Sequence, residues 1–393
     1  MQIKVNLLTL IIPTYNRPIM LENLIKYFGV NNAFDVLILD SSDDDAYELN
    51  VNNIKNNFQH IRYSKNIKFK EKLVDGLEKV QTKYCVFCAD DDIVSPESLL
   101  RCVEFLEDNP DYICAHGYYF GFEGGKAKYL VDDIIYNNKS IDDVNPLLRL
   151  DSLYTNYQSN FYSVFRTEVQ IAALSEASKN NNSLFFELMQ SSYGVISGKV
   201  KRLPIIYAGR CRTASIDVPR QWHPVEWVSA DINNYFIAYL NYRNNLISII
   251  KKNIALKYDD LKIENIVDLI HAKYTFGSLG LGGLQSAINA QINLCDEVEI
   301  INRAFATFNE GLSKTPCVFK ARALKIFPQW SKKIAKKILS ITRLISKSDK
   351  QKFNVKGKIN VQFNNVVLEK IKNDGISEKY ATIAIYKILE RYN

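Results

Sequence analysis

The sequence lacks any run of about 18 consecutive apolar residues, the length at which a helix can span a bilayer. It also begins without a basic segment, apolar stretch and small-residue cleavage site, so we expect no secretory signal peptide. The chain has 393 residues, of which 47% are hydrophobic and 24% are charged. This composition is typical of a globular protein, and the length predicts two or three domains.

Cysteine is scarce and odd in number, with seven residues in the chain. Cys85 and Cys88 form a C-x-x-C pair inside an apolar stretch, but no second pair stands at the spacing of a zinc site. The pattern therefore favours buried, reduced thiols over a metal site or a disulfide framework. We expect a protein of the reducing cytoplasm.

A strong charge of one sign is also missing, because the net charge is only +7. This value does not by itself indicate nucleic-acid binding, and we predict none. The positive charge is concentrated between residues 314 and 352, which hold twelve Lys or Arg and one acidic residue. Residues 326–347 there predict a basic amphipathic helix that contacts an anionic membrane at its surface. A solvated helix packed on the domain is the alternative.

Apolar strand-like runs alternate with helix-like segments over the first 122 residues. This order predicts an α/β fold, with helices flanking a mostly parallel sheet. From about residue 228 the pattern becomes mainly helical. The predicted strands cover residues 5–12, 36–39, 84–89 and 112–122, and the predicted helices between them cover residues 19–28, 69–80 and 96–107. Polar clusters follow the strands, where ligands of such sheets bind.

Three consecutive carboxylates, Asp90, Asp91 and Asp92, come directly after a predicted buried strand. They repel one another unless something positive lies among them, and a hard divalent cation with phosphate oxygens is the natural partner. The alternative is an acidic loop that precedes the helix beginning near Pro96.

Four motifs stand in order along the chain: Pro13-Thr14-Tyr15-Asn16-Arg17, Asp40-Ser41-Ser42-Asp43, a helix with Gly76-Leu77 before the Asp triplet, and Ser95-Pro96-Glu97. Their order resembles the family 2 glycosyltransferases of the GT-A fold, in particular the bacterial members that build surface polysaccharides and lipopolysaccharide. The resemblance covers residues 7–120 closely and continues loosely to about residue 215.

The resemblance implies a Rossmann-like sheet that binds a nucleotide sugar, with a UDP-sugar as the expected donor. It implies that Asp92 and Asp90 bind a divalent metal, Mn²⁺ or Mg²⁺. The implied donor-nucleotide residues are Pro13, Thr14, Tyr15, Asn16, Arg17, Asp40, Ser41, Lys72, Asp90, Asp91 and Arg212. Lys72 stands where the family's pattern differs, so it either contacts the diphosphate or is a solvated helix lysine. A simple turn residue is the alternative for Asp40.

The resemblance also implies an acidic residue that deprotonates the acceptor hydroxyl, and Glu187 in Phe185-Phe186-Glu187-Leu188 occupies that place. A carboxylate between two phenylalanines can have the raised pKa that a base near neutrality needs. A surface glutamate is the alternative, and Glu168 and Glu176 are weaker candidates. Arg210 precedes Arg212 after the next strand and is weighed with it as a diphosphate contact.

We therefore predict a GT-A domain at residues 1–225, a helical region at 226–325 and a basic amphipathic segment at 326–393. The expected activity is a metal-dependent, inverting transfer of sugar to a glycan or lipid-linked glycan in bacterial surface polysaccharide synthesis. The enzyme is expected in the cytoplasm or at the inner face of the plasma membrane, with the helical region as a candidate homodimer surface. The alternatives are a non-catalytic sugar- or membrane-binding protein of this fold and a related nucleotidyltransferase.

Overall fold

The computed structural model describes most of the chain outside residues 278–351. The described residues are 7–29, 33–54, 58–125, 127–136, 138–155, 157–212, 224, 227, 231–253, 260–277, 352–373 and 375–393. The predicted basic helix at 326–347 and the predicted domain boundaries at 225 and 325 lie outside these residues. The domain division therefore stays a prediction.

Strands and helices alternate through the first half of the chain, as the sequence predicts. The strands are β1 (Leu8–Thr14), β2 (Asp35–Asp40), β3 (Phe58–Arg62), β4 (Tyr84–Phe87), β5 (Asp92–Val94), β6 (Tyr112–Gly125), β7 (Lys128–Tyr136), β8 (Val164–Arg166), β9 (Lys199–Cys211), β10 (Lys352–Lys356) and β11 (Asn360–Asn364). The helices are α1 (Pro18–Phe28), α2 (Asp44–Asn53), α3 (Phe69–Glu78), α4 (Pro96–Asp108), α5 (Pro146–Thr155), α6 (Thr167–Ser178), α7 (Ser183–Ser197), α8 (Ile232–Asn253), α9 (Asp260–Gly277), α10 (Asn365–Asn373) and α11 (Glu378–Tyr392).

The strands of the described residues join in one sheet with helices on both faces. The order is β10-β11-β7-β6-β8-β4-β1-β2-β3, and β9 pairs with both β5 and β6. The strands β4, β1, β2 and β3 are parallel. The strands β7, β8, β5 and β10 each pair antiparallel with a neighbouring strand. The predicted α/β class is confirmed, and its parallel half carries the polar strand ends.

The first strands are apolar on both faces because each face packs against a layer of helices. In β1, Leu10 and Ile12 belong to one hydrophobic cluster, while Ile11 between them belongs to the other. In β2, Ile38 and Leu39 divide in the same way. Side chains alternate along a strand, so a continuous apolar run marks a strand covered on both sides.

Helix α4 fixes the chain directly after the acidic triplet. The Ser95 hydroxyl accepts a hydrogen bond from the backbone N–H of Ser98, and Pro96 begins the helix. Both residues suit a helix start, since Ser satisfies an unpaired N–H and Pro has none to lose. The triplet is thereby held between a buried strand and a capped helix.

The described residues 352–393 pack against the sheet formed by the first half of the chain. Strand β11 extends the sheet by pairing in parallel with β7. From α10 and α11, Val367, Ile385 and Leu389 are buried in the same cluster as Leu10 of β1. The Arg391 guanidinium donates a hydrogen bond to the Tyr27 carbonyl of α1, at 2.9 Å. The sequence pattern predicts mainly helix from about residue 228 onward and does not predict β10 and β11.

None of the helices within the described residues combines the length and the apolar character that crossing a bilayer requires.

We expect Leu389→Ala to lower the free energy of unfolding by about 2–5 kcal/mol, because it opens a cavity in the core shared by α11 and the sheet. Val366→Ala is the control, since Val366 on α10 is 46% exposed. We expect it to change the free energy by about 0.5 kcal/mol or less. Urea titration followed by circular dichroism measures both. Equal losses for the two variants would show that α11 is not part of this core.

Candidate functional site

The polar ends of three neighbouring strands meet at one edge of the sheet. Strand β1 lies between β2 and β4, and its last residue, Thr14, is in register with Asp40 at the end of β2. Strand β4 runs in the same direction and leads through Cys88 and Ala89 into the acidic triplet. The sequence predicts this convergence, because parallel strands end at the same edge.

Asp90 and Asp91 share one arginine. Arg17, just before α1, places Nη1 3.0 Å from Asp90 Oδ1 and 2.8 Å from Asp91 Oδ2. The other Asp90 oxygen accepts a hydrogen bond from the Thr14 hydroxyl at 2.8 Å. Burial raises the pKa of Asp90 even though Arg17 and Thr14 act to lower it. The loop at the end of β1, residues 13–17 (the first loop), is therefore joined directly to the acidic triplet.

Asp92 is held by the end of β9. The three-residue strand β5 pairs antiparallel with β9 and brings Asp92 opposite Arg210. Arg210 Nε lies 3.3 Å from Asp92 Oδ2, and the Cys211 N–H donates to Asp92 Oδ1 at 3.2 Å. Burial raises the pKa of Asp92 to about 7, although Arg210 acts to lower it. A buried carboxylate with so high a pKa is one whose negative charge is incompletely compensated.

Asp40 is fully buried and has three internal donors. Its carboxylate accepts hydrogen bonds from the Ser42 N–H at 2.8 Å, the Asn50 amide at 2.7 Å and the His60 ring at 3.1 Å. Burial acts to raise the pKa of Asp40, but the hydrogen bonds from His60, Ser42 and Asn50 outweigh it and lower the pKa. These contacts hold the turn after β2, and a role of Asp40 in binding the nucleotide stays a prediction.

Lys72 is a buried lysine beneath the two strand ends, not a solvated helix lysine. Its ammonium donates to the Thr14 carbonyl at 2.8 Å and to the Ser41 hydroxyl at 2.7 Å. Burial lowers the pKa of Lys72 to about 8, against the opposing effect of Asp40 and Asp90. Lys72 thus connects the first loop to the loop after β2, residues 41–43 (the second loop).

The first loop is also joined to the second loop at its outer side. Asn16 adopts a left-handed backbone conformation with φ of 54°. Its N–H donates to the Ser42 hydroxyl, and its amide exchanges hydrogen bonds with Asp43. Pro13 lies in the sheet, whereas the Tyr15 side chain is 52% exposed beside Arg17. The structure thus gathers every predicted first-loop residue at this edge.

Glu187 lies on α7, where Asn182 caps the helix. The Tyr157 hydroxyl donates a hydrogen bond to Glu187 Oε1 at 3.1 Å. Burial raises the pKa of Glu187, while Tyr157, the charge of Arg210 and Ser159 act to lower it. Arg210 therefore acts on both Asp92 and Glu187. The alternative candidates Glu168 and Glu176 lie on α6, where Glu176 pairs with Lys179.

The carboxylates suit a hard divalent cation in part. Within the described ranges, no group of three or more Asp, Glu, His or Cys side chains stands close enough to hold a metal by itself. Mg²⁺ commonly takes one or two carboxylates and completes its shell with phosphate oxygens and water. Asp90 and Asp92, two buried carboxylates at the sheet edge, offer ligands of that kind.

Arg212 lies apart from these contacts. Its Nε is 3.3 Å from Asp132 Oδ2 on β7, and its binding role stays a prediction. Of the two arginines that the sequence offers at the end of β9, Arg210 is the one that contacts the triplet. Tyr157 carries no sequence signal, because it reaches Glu187 from the irregular segment after α5.

Comparison with family models finds one match in the first part of the chain. Residues 9–167 match the model of glycosyl transferase family 2. A curated relative is the GalNAc(5)-diNAcBac-PP-undecaprenol beta-1,3-glucosyltransferase of Campylobacter jejuni subsp. jejuni serotype O:2. The two sequences are 25% identical over 171 residues, which are 40% of this chain and 51% of the relative. The chain therefore matches about half the length of this relative.

Two solved structures are similar over much of the chain. S. aureus TarS 1–349 in complex with UDP-GlcNAc is 13% identical to this chain. The match covers 80% of this chain and 83% of the TarS chain, with a TM-score of 0.45. Glucosyl-3-phosphoglycerate synthase from Mycobacterium tuberculosis, in complex with Mn²⁺, uridine-diphosphate-glucose and phosphoglyceric acid, is 12% identical. It covers 63% of this chain and 80% of its own, with a TM-score of 0.34.

We expect Asp40→Asn to lower the free energy of unfolding at pH 7 by about 1–3 kcal/mol. The substitution replaces one acceptor oxygen by an NH₂ group, which then faces buried hydrogen-bond donors. The native pKa of Asp40 lies below its ordinary value. Its stabilising effect is therefore complete above about pH 4 and is lost as the pH falls through the native pKa. The difference between wild type and variant should close at acid pH, as measured by denaturant titration across pH.

Asp44→Asn is the control, because the Asp44 side chain is 87% exposed at the start of α2. We expect a change of about 0.5 kcal/mol or less. An Asp40→Asn loss that is equally small, or that stays constant down to the lowest pH, would contradict the assigned network.

Proposed function

We propose that this chain, whose residues 9–167 match the model of glycosyl transferase family 2, transfers a sugar from a nucleotide-sugar donor to a glycan or lipid-linked glycan. The arrangement that carries the proposal is the acidic triplet at the sheet edge, where Arg17 and Arg210 contact the carboxylates, together with Glu187 on α7, which accepts a hydrogen bond from Tyr157. It combines a site for a diphosphate with a candidate base for the acceptor hydroxyl.

The donor is proposed to be a UDP-sugar held by the first two loops. Arg17 and Arg210 offer the planar, charged donors that bind a diphosphate well. Tyr15, which lies in the same loop as Arg17 and is 52% exposed, is proposed to provide an apolar surface for the nucleotide. The loop Pro13–Asn16, together with Asp40, Ser41 and Lys72, would fix the position of the nucleotide, and Arg212 is proposed to contribute from the end of β9.

A divalent metal, Mn²⁺ or Mg²⁺, is proposed to be held by Asp92 and Asp90. When bound, such an ion supplies positive charge that stabilises a leaving diphosphate. Arg17 and Arg210 would stabilise the same negative charge through their N–H groups.

The proposed reaction is a direct displacement with inversion at the anomeric carbon. The carboxylate of Glu187 takes the proton of the acceptor hydroxyl while the acceptor oxygen forms a bond to the anomeric carbon. The bond from that carbon to the diphosphate oxygen breaks, and the nucleoside diphosphate leaves with the electron pair. Burial raises the pKa of Glu187 toward the working pH, which suits a general base.

The acceptor is proposed to belong to a bacterial surface polysaccharide, assembled on the cytoplasmic side of the plasma membrane. The Campylobacter relative is named for a glycan linked to undecaprenol. This name supports a lipid-linked acceptor for this chain. The basic segment at 326–347 is proposed to hold the enzyme against anionic lipid. A homodimer through the helical region remains part of the proposal.

Nucleoside diphosphates should raise the melting temperature of the protein, since a ligand that binds only the native state stabilises it by about 2.7 kcal/mol at 100 times its Kd. We expect UDP to give the largest increase among UDP, GDP, CDP and dTDP, and Mn²⁺ to enlarge it. Asp92→Asn should abolish the contribution of Mn²⁺. Melting curves with and without metal measure both effects. An equal response of Asp92→Asn and wild type to Mn²⁺ would remove Asp92 from the metal site.

Glu187→Gln should lower kcat for sugar transfer by roughly 10²–10⁴-fold, because the amide cannot accept the proton. Binding of UDP should be unchanged. Glu176→Gln on the adjacent α6 is the matched control, since Glu176 pairs with Lys179 on the surface, and we expect activity close to that of wild type. The rate is measured as release of nucleoside diphosphate from a panel of nucleotide sugars with a glycan acceptor.

The same assay separates the alternatives. A nucleotidyltransferase would release pyrophosphate from a nucleoside triphosphate and a sugar phosphate. A non-catalytic binding protein would bind nucleotide or sugar without turnover. Full activity of Glu187→Gln would assign the base to another residue.

A further inference from the structure

The candidate base Glu187 shares a face of α7 with Ser191, which stands four residues further along the helix. The Tyr157 hydroxyl lies 3.1 Å from Glu187 Oε1 and 3.3 Å from the Ser191 hydroxyl, so it contacts both side chains. Tyr157 comes from the irregular segment between α5 and β8 and not from α7 itself. A separate part of the chain therefore reaches the carboxylate on which the proposed proton transfer depends.

The Tyr157 ring is packed against two other tyrosines. The Tyr154 ring at the end of α5 is nearly parallel to it, with centroids 5.7 Å apart and 22° between the planes. The Tyr274 ring of α9 lies 5.2 Å away at an angle of 53°. Ring pairs at such distances are favourable contacts. They fix the position of the Tyr157 oxygen, so that only its hydrogen remains free to turn.

Helix α9, which carries Tyr274, is itself anchored to α5. The Lys273 ammonium lies 2.7 Å from Asp151 Oδ1, and the two side chains are only 9% and 4% exposed. Lys273 also donates a hydrogen bond to the Thr155 hydroxyl at the end of α5. Because a buried charge is costly unless it is paired, this contact favours one arrangement of α9 against α5. The two helices together set the position of Tyr157.

The Tyr157 hydroxyl must be the donor in its contact with an ionised Glu187, because a carboxylate can only accept hydrogen bonds. Burial raises the pKa of Tyr157 well above its ordinary value, and the charge of Glu187 acts in the same direction. The hydroxyl therefore keeps its hydrogen at neutral pH. Once Glu187 has taken a proton, the hydroxyl can turn toward Ser191, which lies within reach.

We propose that Tyr157 is a positioning residue that holds Glu187 as an ionised carboxylate in one orientation, ready to take the acceptor proton. This inference rests on the proposed function, because it takes Glu187 as the base. Burial of Glu187 favours its protonated form, which cannot act as a base. Tyr157 opposes that effect by direct contact, Ser159 by a further hydrogen bond and Arg210 of β9 through its charge.

Tyr157→Phe tests the proposal, because it keeps the ring and removes only the hydroxyl. Loss of a hydrogen bond to the charged form raises the pKa of Glu187. We expect the acid limb of the pH profile of kcat/KM to move to higher pH by about one pH unit. On that limb kcat/KM should fall about tenfold, which equals about 1.4 kcal/mol. The loss should shrink above the new pKa, because Glu187 is then ionised in both proteins.

Tyr154→Phe is the matched control. It makes the same chemical change in the same group of tyrosines, but the Tyr154 hydroxyl is hydrogen-bonded to Ser192 and Tyr242. We expect its acid limb to coincide with that of wild type, even where melting curves show a loss of stability. Glu187→Gln identifies the limb, because its residual activity should lose this pH dependence. Binding of UDP, measured by calorimetry, should be the same in wild type and Tyr157→Phe, since the nucleotide is proposed to bind to the first two loops.

A second measurement does not require turnover. The free energies of unfolding of wild type, Tyr157→Phe, Glu187→Gln and the double variant form a thermodynamic cycle, measured by urea titration at about pH 6 and about pH 9. We expect the losses of the two single variants to be non-additive. The coupling should be larger at the higher pH, where Glu187 is ionised, because a hydrogen bond to a charged group is stronger.

The pH dependence separates positioning of the base from a purely structural role. A Tyr157→Phe profile that is lowered equally at every pH would overturn the proposal, and so would an equal shift of the limb in Tyr154→Phe. Additive losses at both pH values would show that the hydroxyl and the carboxylate do not interact. If the wild type turns over no nucleotide sugar, the proposed function fails, and the cycle alone decides the contact between Tyr157 and Glu187.

Discussion

The concentration of negative charge at one edge of the sheet is the constraint on which the site depends. Asp40, Asp90 and Asp92 are buried there, and Asp91 is nearly so. Charge of one sign in a poorly solvated place needs hydrogen bonds, opposite charge or a bound cation. Three cations supply the opposite charge: Lys72 on α3, Arg17 directly before α1, and Arg210 on β9. Each of these cations connects segments that are distant in sequence.

The parallel half of the fold could be predicted from the sequence because its signals are local. The apolar runs of β1, β2 and β4 mark strands covered on both faces, and Ser95-Pro96 marks the start of α4. The polar residues that follow those strands necessarily meet at one edge. The family resemblance identified Glu187 as a candidate base. The spacing of apolar residues around it predicts only that it lies on a helix.

The rest depends on pairing between distant segments, which local patterns do not contain. Strand β5 has three residues and becomes a strand only because β9 lies beside it, so the contact between Asp92 and Arg210 could not be predicted. Strand β11 joins β7 across more than 200 residues of sequence. The sequence left Lys72 open between a diphosphate contact and a solvated helix lysine, because its burial depends on Thr14 and Ser41, which lie in other segments.

The most direct test of the account is a crystal structure of the protein with UDP and Mn²⁺. The account predicts the diphosphate at the ends of β1 and β4, with its oxygens within about 3 Å of guanidinium nitrogens of Arg17 or Arg210. It also predicts Mn²⁺ on Asp92 and Asp90. A nucleotide bound elsewhere on the protein would contradict the assignment of this edge as the donor site.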